Sequence, residues 1–280
     1  MLVDVESVRA YAYTGGKRFD PLLPVVVFIH GAQHDHSVWI LQSRYLAHHG
    51  YAVLAVDLPG HGRSDGAPKG TIEAMSGWLI ALLDATGVAT ATLVGHSGGS
   101  LVALETASRH PSRVAKLVLV GTAFPMRVAD DLLAATRDDE PRAIDMINIW
   151  SHAGYAQKPS SPGPGFWVVG QNKRLMERMK KGVLHADFNA CNGYGNGLSA
   201  AASVRCPTLL ILGGRDVMTP PRAAKSLREA IAGAEVVEVP ASGHALMAEA
   251  PDQVLDAIRG FIARKSAAST AAGPIPAAAA

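Results

Sequence analysis

The chain has 280 residues, 48% hydrophobic and 18% charged, enough to bury a substantial core in one large domain with an insertion or in two small ones. Its 26 basic and 24 acidic residues leave a formal net charge of +2, which provides no basic footprint for nucleic acid. The N-terminus lacks a basic segment followed by an apolar stretch, and no apolar run is long enough to span a bilayer, so a cytoplasmic protein with no membrane partner is expected.

In chain order, residues 25–29 form a continuous apolar run after Pro24, and residues 53–56 ahead of Asp57 form another. Such runs suit strands covered on both faces. Between them, residues 37–50 carry Trp39, Leu41, Tyr45 and Leu46 at near-helical spacing and end at Gly50, the pattern of an amphipathic helix with a glycine cap. The alternation continues with helix at 72–85, strand at 91–94, helix at 98–109 and strand at 114–120. After a gap it resumes with strand at 207–212, helix at 222–231, strand at 235–239 and helix at 251–263. Repeated strand and helix alternation predicts an α/β fold, a mainly parallel central sheet with helices on both faces.

Residues 124–204 break this rhythm, with a proline and glycine cluster at 159–165 and basic residues at Lys173, Arg174, Arg178, Lys180 and Lys181. They predict an inserted, mostly helical cap over the C-terminal edge of the sheet, where open α/β folds bind ligands. The basic residues fit a solvated helix face. Residues 1–123 and 205–265 then make the core, and the alanine- and proline-rich tail at 266–280 lacks apolar periodicity and is expected to be disordered. Cys191 and Cys206 read as small buried side chains rather than a bridge.

The stretch with the most chemical content is Gly95-His96-Ser97-Gly98-Gly99, a Gly-x-Ser-x-Gly turn between a predicted strand and a predicted helix. A strand turning abruptly into a helix strains the residue at the bend, admits only small neighbours and projects the serine hydroxyl above the sheet edge. The following helix N-terminus presents N–H groups to a developing oxyanion. A serine hydroxyl is a poor nucleophile at neutral pH and needs a base and a group that orients the base. His244, after the last predicted strand, and Asp216, after the one before it, stand on loops that reach the same edge.

The order Ser97, Asp216, His244, together with His30-Gly31-Ala32 and Asp57-Leu58-Pro59-Gly60-His61-Gly62 after the first two buried strands, resembles the α/β-hydrolase superfamily over residues 25–263. The similarity is to its serine-nucleophile branch of cap-bearing esterases, carbon–carbon hydrolases and cofactor-free haloperoxidases. That resemblance implies backbone N–H groups of Ala32 and Gly98 as oxyanion donors, and no cofactor. Many members of the branch carry methionine or glutamine where this chain has Gly98, which suggests that Gly98 widens an acyl pocket. His30, His61 and Arg63 read as residues that lock loops, His96 as a packing neighbour and Asp57 as a turn former. His30, His34 and His36 lack a carboxylate or cysteine at zinc-like spacing, so no metal is expected.

A pocket walled by Trp39, Phe124, Met126, Met146, Trp150, Phe166, Trp167 and Met218, with no cationic anchor, would favour a largely apolar ester of small to medium size. Alternatives on the same triad are hydrolysis of a carbon–carbon bond in a diketone, for which Arg174, Arg178 and Asn189 are candidate contacts, and perhydrolase or haloperoxidase-like chemistry. A ligand receptor on the same fold is the non-enzymatic alternative. The expected partner is a small-molecule ester, and the expected state a monomer or homodimer.

Overall fold

The computed structural model describes residues 1–157 and 167–264. Eight strands form one sheet in the order β1-β2-β4-β3-β5-β6-β7-β8, where β1 is Leu2–Val5, β2 Val8–Tyr13, β3 Val25–Ile29, β4 Ala52–Val56, β5 Ala91–His96, β6 Val114–Val120, β7 Thr208–Gly213 and β8 Glu235–Val239. From β4 through β8 every neighbouring pair is parallel, while β1 and β2 add antiparallel edge strands. That hairpin is not evident in the apolar pattern, because only Val5, Ala10 and Ala12 of its residues are buried. Glu6 and Ser7 close it with φ of 52° and 63°, the left-handed pair that a tight hairpin turn demands.

The strand periodicity of two divides the core. Val25, Val27 and Ile29 join Leu54, Leu93, Leu117 and Leu210 on one face, while Val26 and Phe28 join Val53, Val94, Val118 and Ile211 on the other. The first face is covered by α2 (Ile72–Ala85) and α3 (Gly98–Arg109), the second by α1 (Ile40–Ala47) and by α11 (Pro251–Ile262). Local chemistry sets several starts. Thr71 Oγ1 accepts from Ala74 N–H at 3.1 Å to cap α2, and Asp35 Oδ1 accepts from Ser37 N–H at 2.8 Å to start the 3₁₀ turn His36–Trp39 that leads into α1. At the other end of the fold, the buried Lys116 ammonium donates to Phe261 O and Ile262 O at 3.1 and 2.7 Å, taking up the last carbonyls of α11.

Between β6 and β7 the chain forms α4 (Asp130–Asp138), α5 (Glu140–Ser151), α6 (Val168–Glu177), α7 (Val183–Gly193) and α8 (Gly197–Ser203). Helices α4 to α7 share their own apolar cluster of Leu132, Ala135, Ala143, Ile144, Ile147, Met176, Leu184 and Phe188, against which Ala32 and Met218 pack. Helix α8 instead packs against α3 and α9 (Lys225–Ala230), beside the sheet. Helix α10 (Leu246–Glu249) follows the loop after β8. The predicted tail at 266–280 lies outside the described residues. No helix among those described is long and apolar enough to cross a membrane.

Candidate active site

Ser97 stands between β5 and α3 with φ 51° and ψ −123°, a conformation that costs a non-glycine residue of the order of 1–3 kcal/mol and persists only when its surroundings hold it. The holding groups are visible. Ser97 N–H donates to Val120 O at 2.9 Å, while Ser97 O accepts from Ser100 N–H at 2.8 Å and from the Ser100 hydroxyl. The flanking glycines are obligatory for steric reasons. A Cβ on Gly95 would stand 2.2 Å from Gly99 O, and one on Gly99 would stand 2.3 Å from His30 O.

His244 and Asp216 meet as the sequence order implies. His244 Nδ1–H donates to Asp216 Oδ2 at 2.7 Å, leaving the other ring nitrogen available, and Ser97 and His244 line the same cavity. Asp216 itself is tied by its own loop, with Oδ1 accepting from Met218 N–H and Thr219 N–H at 2.8 Å each, and Oδ2 accepting from the Thr219 hydroxyl at 2.7 Å. Thr219 Oγ1 also lies 3.0 Å from His244 Nδ1, so one hydroxyl braces both members of the pair. Burial alone would raise the Asp216 pKa, but the charge and hydrogen bond of His244, joined by Thr219, outweigh it and hold the carboxyl at about 2. The folded value therefore lies below the ordinary 3.8, so the pair's stabilisation is complete above that pH and is lost as pH falls toward 2. Urea midpoints measured down a pH series should fall more steeply over that window in the native chain than in Asp216→Asn.

The wall behind the imidazole is equally specific. Gly121 has φ 54°, and a Cβ there would stand 3.2 Å from His244 Nδ1. His96 donates from Nε2 to His244 O at 2.9 Å, while its buried Nδ1 has no partner among the described residues. Burial, reinforced by the nearby His244, pushes the His96 pKa well down, so His96 is a neutral brace and not a rival base.

The loop after β3 runs against the serine turn. A Cβ on Gly31 would meet Ser97 Cβ at 3.1 Å, and one on Gly98 would lie 4.0 Å from Ala32 N. Ala32 N thus stands close to the Gly98 turn, and neither the Ala32 nor the Gly98 N–H donates to an acceptor among the described residues. Gly98 does not widen the site as its sequence position suggests. The space beside it is filled by Cys191, whose Sγ would lie 2.8 Å from a Gly98 Cβ. Cys191 and Cys206 are both free, and burial pushes the Cys191 thiol up to about 12.

A cavity of about 820 Å³ opens over Ser97. Its inner wall includes Ala32, Ile147, Leu175, Phe188 and Met218, and toward its mouth lie Leu41, Trp167, Arg174 and Arg178. Of the pocket residues expected from sequence, Trp167 and Met218 line it, and Trp39, Phe124, Met126, Met146 and Trp150 do not. Trp39 is fully buried on the sheet face against Phe28, with ring centroids 5.1 Å apart, because the 3₁₀ turn directs it inward. Phe124 and Met126 pack against the main core, and Met146 and Trp150 against the helical cluster. Phe166 lies outside the described residues. The expectation of a wall without cations is corrected by Arg174 and Arg178, both exposed at its rim.

The loop-locking residues behave accordingly. His30 Nε2 accepts from Leu58 N–H at 3.1 Å, and Asp57 accepts from His36 N–H and Arg63 N–H at 2.7 and 2.8 Å. Asp35, His36 and Asp57 bring their polar atoms within 4.8 Å of one another, the one such group that could hold a metal among the described residues. Both Asp57 oxygens are already engaged as above, and Asp35 Oδ1 accepts from Ser37. The residues that sequence reasoning missed are Thr219 and Asp187. Thr219 was within reach, since an aspartate that accepts from the second and third N–H groups beyond it is a recurrent turn.

Residues 24–251 match the model of the alpha/beta hydrolase fold family. A protein of Klebsiella pneumoniae named "Putative carbamate hydrolase RutD" is 30% identical over 241 residues, which cover 80% of this chain and 86% of that one. The sn-1-specific diacylglycerol lipase ABHD11 of Mus musculus is 26% identical over 87% of this chain and 82% of its own. Among solved structures, the enol-lactonase of Burkholderia xenovorans superposes with a TM-score of 0.83 at 25% identity, covering 94% of this chain and all of the other. A strained serine on a strand–helix turn, with an imidazole and carboxylate on the loops after β8 and β7, is the site this family builds, and the chain belongs to the alpha/beta hydrolase fold family as a hydrolytic enzyme.

Proposed function

We propose that the protein hydrolyses carboxylic esters through an acyl-enzyme on Ser97. The observation that carries this reading is the 2.7 Å bond from His244 Nδ1 to a carboxylate that is itself fixed by three donors of its loop, which leaves the second imidazole nitrogen to serve Ser97 in their shared cavity. His244 takes the hydroxyl proton as Ser97 Oγ attacks the carbonyl carbon, and the Asp216 carboxylate stabilises the imidazolium that forms. The N–H groups of Ala32 and Gly98 receive the oxyanion, each worth about 2.7–4 kcal/mol by analogy with comparable donors. His244 then returns the proton to the alcohol as it leaves, and the same base activates the water that releases the acid.

The apolar side chains Ile147, Leu175, Phe188 and Met218 in the wall and the arginines at the rim support an acyl group that is largely apolar, with any charged portion at the mouth. Helices α5 to α7 act as the cap that supplies this wall. Of the candidate contacts for carbon–carbon hydrolysis, Arg174 and Arg178 stand at the cavity rim, while Asn189, whose amide bonds His185 on an exposed helix face, is absent from the lining. With p-nitrophenyl acetate and butyrate, saturable release of nitrophenol is expected, with the higher kcat/KM for butyrate. Release no faster than in buffer for either ester would remove the esterase reading.

A further inference from the structure

Helix α7 reaches the oxyanion region at two points one turn apart. Asp187 Oδ2 accepts from the backbone N–H of Gln33 at 2.8 Å, the residue directly after Ala32, and Cys191 Sγ occupies the space beside Gly98. We propose that α7 positions the two oxyanion donors, with Asp187 fixing the Ala32–Gln33 turn and Cys191 fixing the Gly98 turn, so that Asp187 is a positioning residue for the turnover of Ser97. This rests on the ester-hydrolase reading above.

Three independent observations support it. Gln33 has φ 57°, a left-handed conformation unusual for a side chain of its size, and besides the His34 N–H to Gly31 O bond of its own turn it is held there by the helical insertion. Besides Asp187, its side-chain amide donates to Met176 O at 3.1 Å and to Glu140 Oε1 at 3.2 Å, so α5, α6 and α7 all grip one strained residue. Second, Asp187 is 4% exposed and its Oδ1 has no partner among the described residues. An orphan oxygen on a buried carboxylate weakens the fold, so stability alone does not account for Asp187 at this position. Third, Asp187 Oδ2 also meets His61 Nε2 at 2.8 Å. Burial would lower the His61 pKa, but the Asp187 charge and hydrogen bond outweigh it and raise it, which ties the carboxylate to the imidazole of the neighbouring loop.

Misplaced donors weaken binding of the transition state and spare that of the substrate, so the effect belongs in kcat. For Asp187→Ala, kcat on p-nitrophenyl butyrate is expected to fall at least tenfold with KM within twofold, and the rate of labelling by a fluorophosphonate should fall in parallel. Asp187→Asn keeps an oxygen where the Gln33 N–H points and should stay within threefold of the native chain. Native kcat in Asp187→Ala, or a loss confined to KM, would overturn the proposal.

A second pair decides the matter should Asp187→Ala not fold. Gly98→Ala drives its new Cβ into Cys191 Sγ and should lower kcat at least fivefold, and Cys191→Ala in the same chain should restore most of it. A Gly98→Ala enzyme with native kcat, or one that Cys191→Ala fails to rescue, would equally overturn it. Failure of the ester-hydrolase reading is distinct, since it would show as native enzyme that neither turns over the ester nor takes up the fluorophosphonate.

Discussion

Ser97→Ala is expected to lower kcat for p-nitrophenyl butyrate by a factor on the order of 10⁶, the loss found when the nucleophile of a serine triad is removed, with the oxyanion donors still giving a residual rate above that in water. The substitution removes one oxygen from a half-buried position and adds no bulk. The backbone at residue 97 stays strained, because the constraint comes from Val120 O and Ser100 rather than from the lost hydroxyl. Thermal stability should therefore stay level or rise slightly while activity vanishes, a separation that a mere folding defect cannot produce. Retention of more than a hundredth of native kcat would show that another group attacks the ester.

Asp216→Asn should lower kcat by about 10⁴, as the equivalent change does in serine proteases, where it stabilises the wrong imidazole tautomer. In this chain the local geometry sharpens the expectation. Asp216 Oδ1 is occupied by the N–H groups of Met218 and Thr219, so an asparagine keeps its oxygen there and turns its amide toward His244 Nδ1. That amide is a donor, and it forces Nδ1 to accept and places the ring proton on the nitrogen that should serve Ser97. Thr219 Oγ1, 3.0 Å from the same ring nitrogen, is the only side-chain hydroxyl among the described residues that contacts His244 there, and its removal in addition should deepen the defect. Steady-state kinetics on the same ester check both, and an Asp216→Asn enzyme within tenfold of native would move the orienting acid elsewhere.

Much of this arrangement is legible in the sequence because it depends on local patterns. Runs such as residues 25–29 and 208–213 are apolar at every position or nearly so, which only strands covered on both faces require. The loops following those strands then carry Ala32 and Asp216, and a parallel sheet gathers all such loops at one edge. What the sequence withholds is orientation and long-range pairing. Trp39 lies near the oxyanion loop in sequence, yet a 3₁₀ turn sends it into the core while Leu41, two residues on, faces the cavity. His61 reads correctly as a residue that locks a loop, but its partner Asp187 is 126 residues away in the interior of α7, where no spacing rule marks it. Cys191 is still less visible, since its significance comes only from the missing side chain at Gly98.

The insertion accordingly presents two faces to the rest of the fold. One supplies apolar side chains to the cavity, including Ile147, Leu175 and Phe188, and these set which acyl groups fit. The other, through Glu140, Met176 and Asp187, holds Gln33 next to Ala32, one of the two proposed oxyanion donors. Changes on the first face should alter selectivity, and changes on the second should alter turnover of every ester alike.

The most direct test is to react the native chain with a fluorophosphonate and locate the adduct by peptide mass spectrometry. One phosphonyl group on the peptide containing Ser97, absent from Ser97→Ala and formed far more slowly in a His244→Ala chain, is the predicted result. An adduct on any other residue, or none on the folded native chain, would contradict the assignment of Ser97 as the nucleophile.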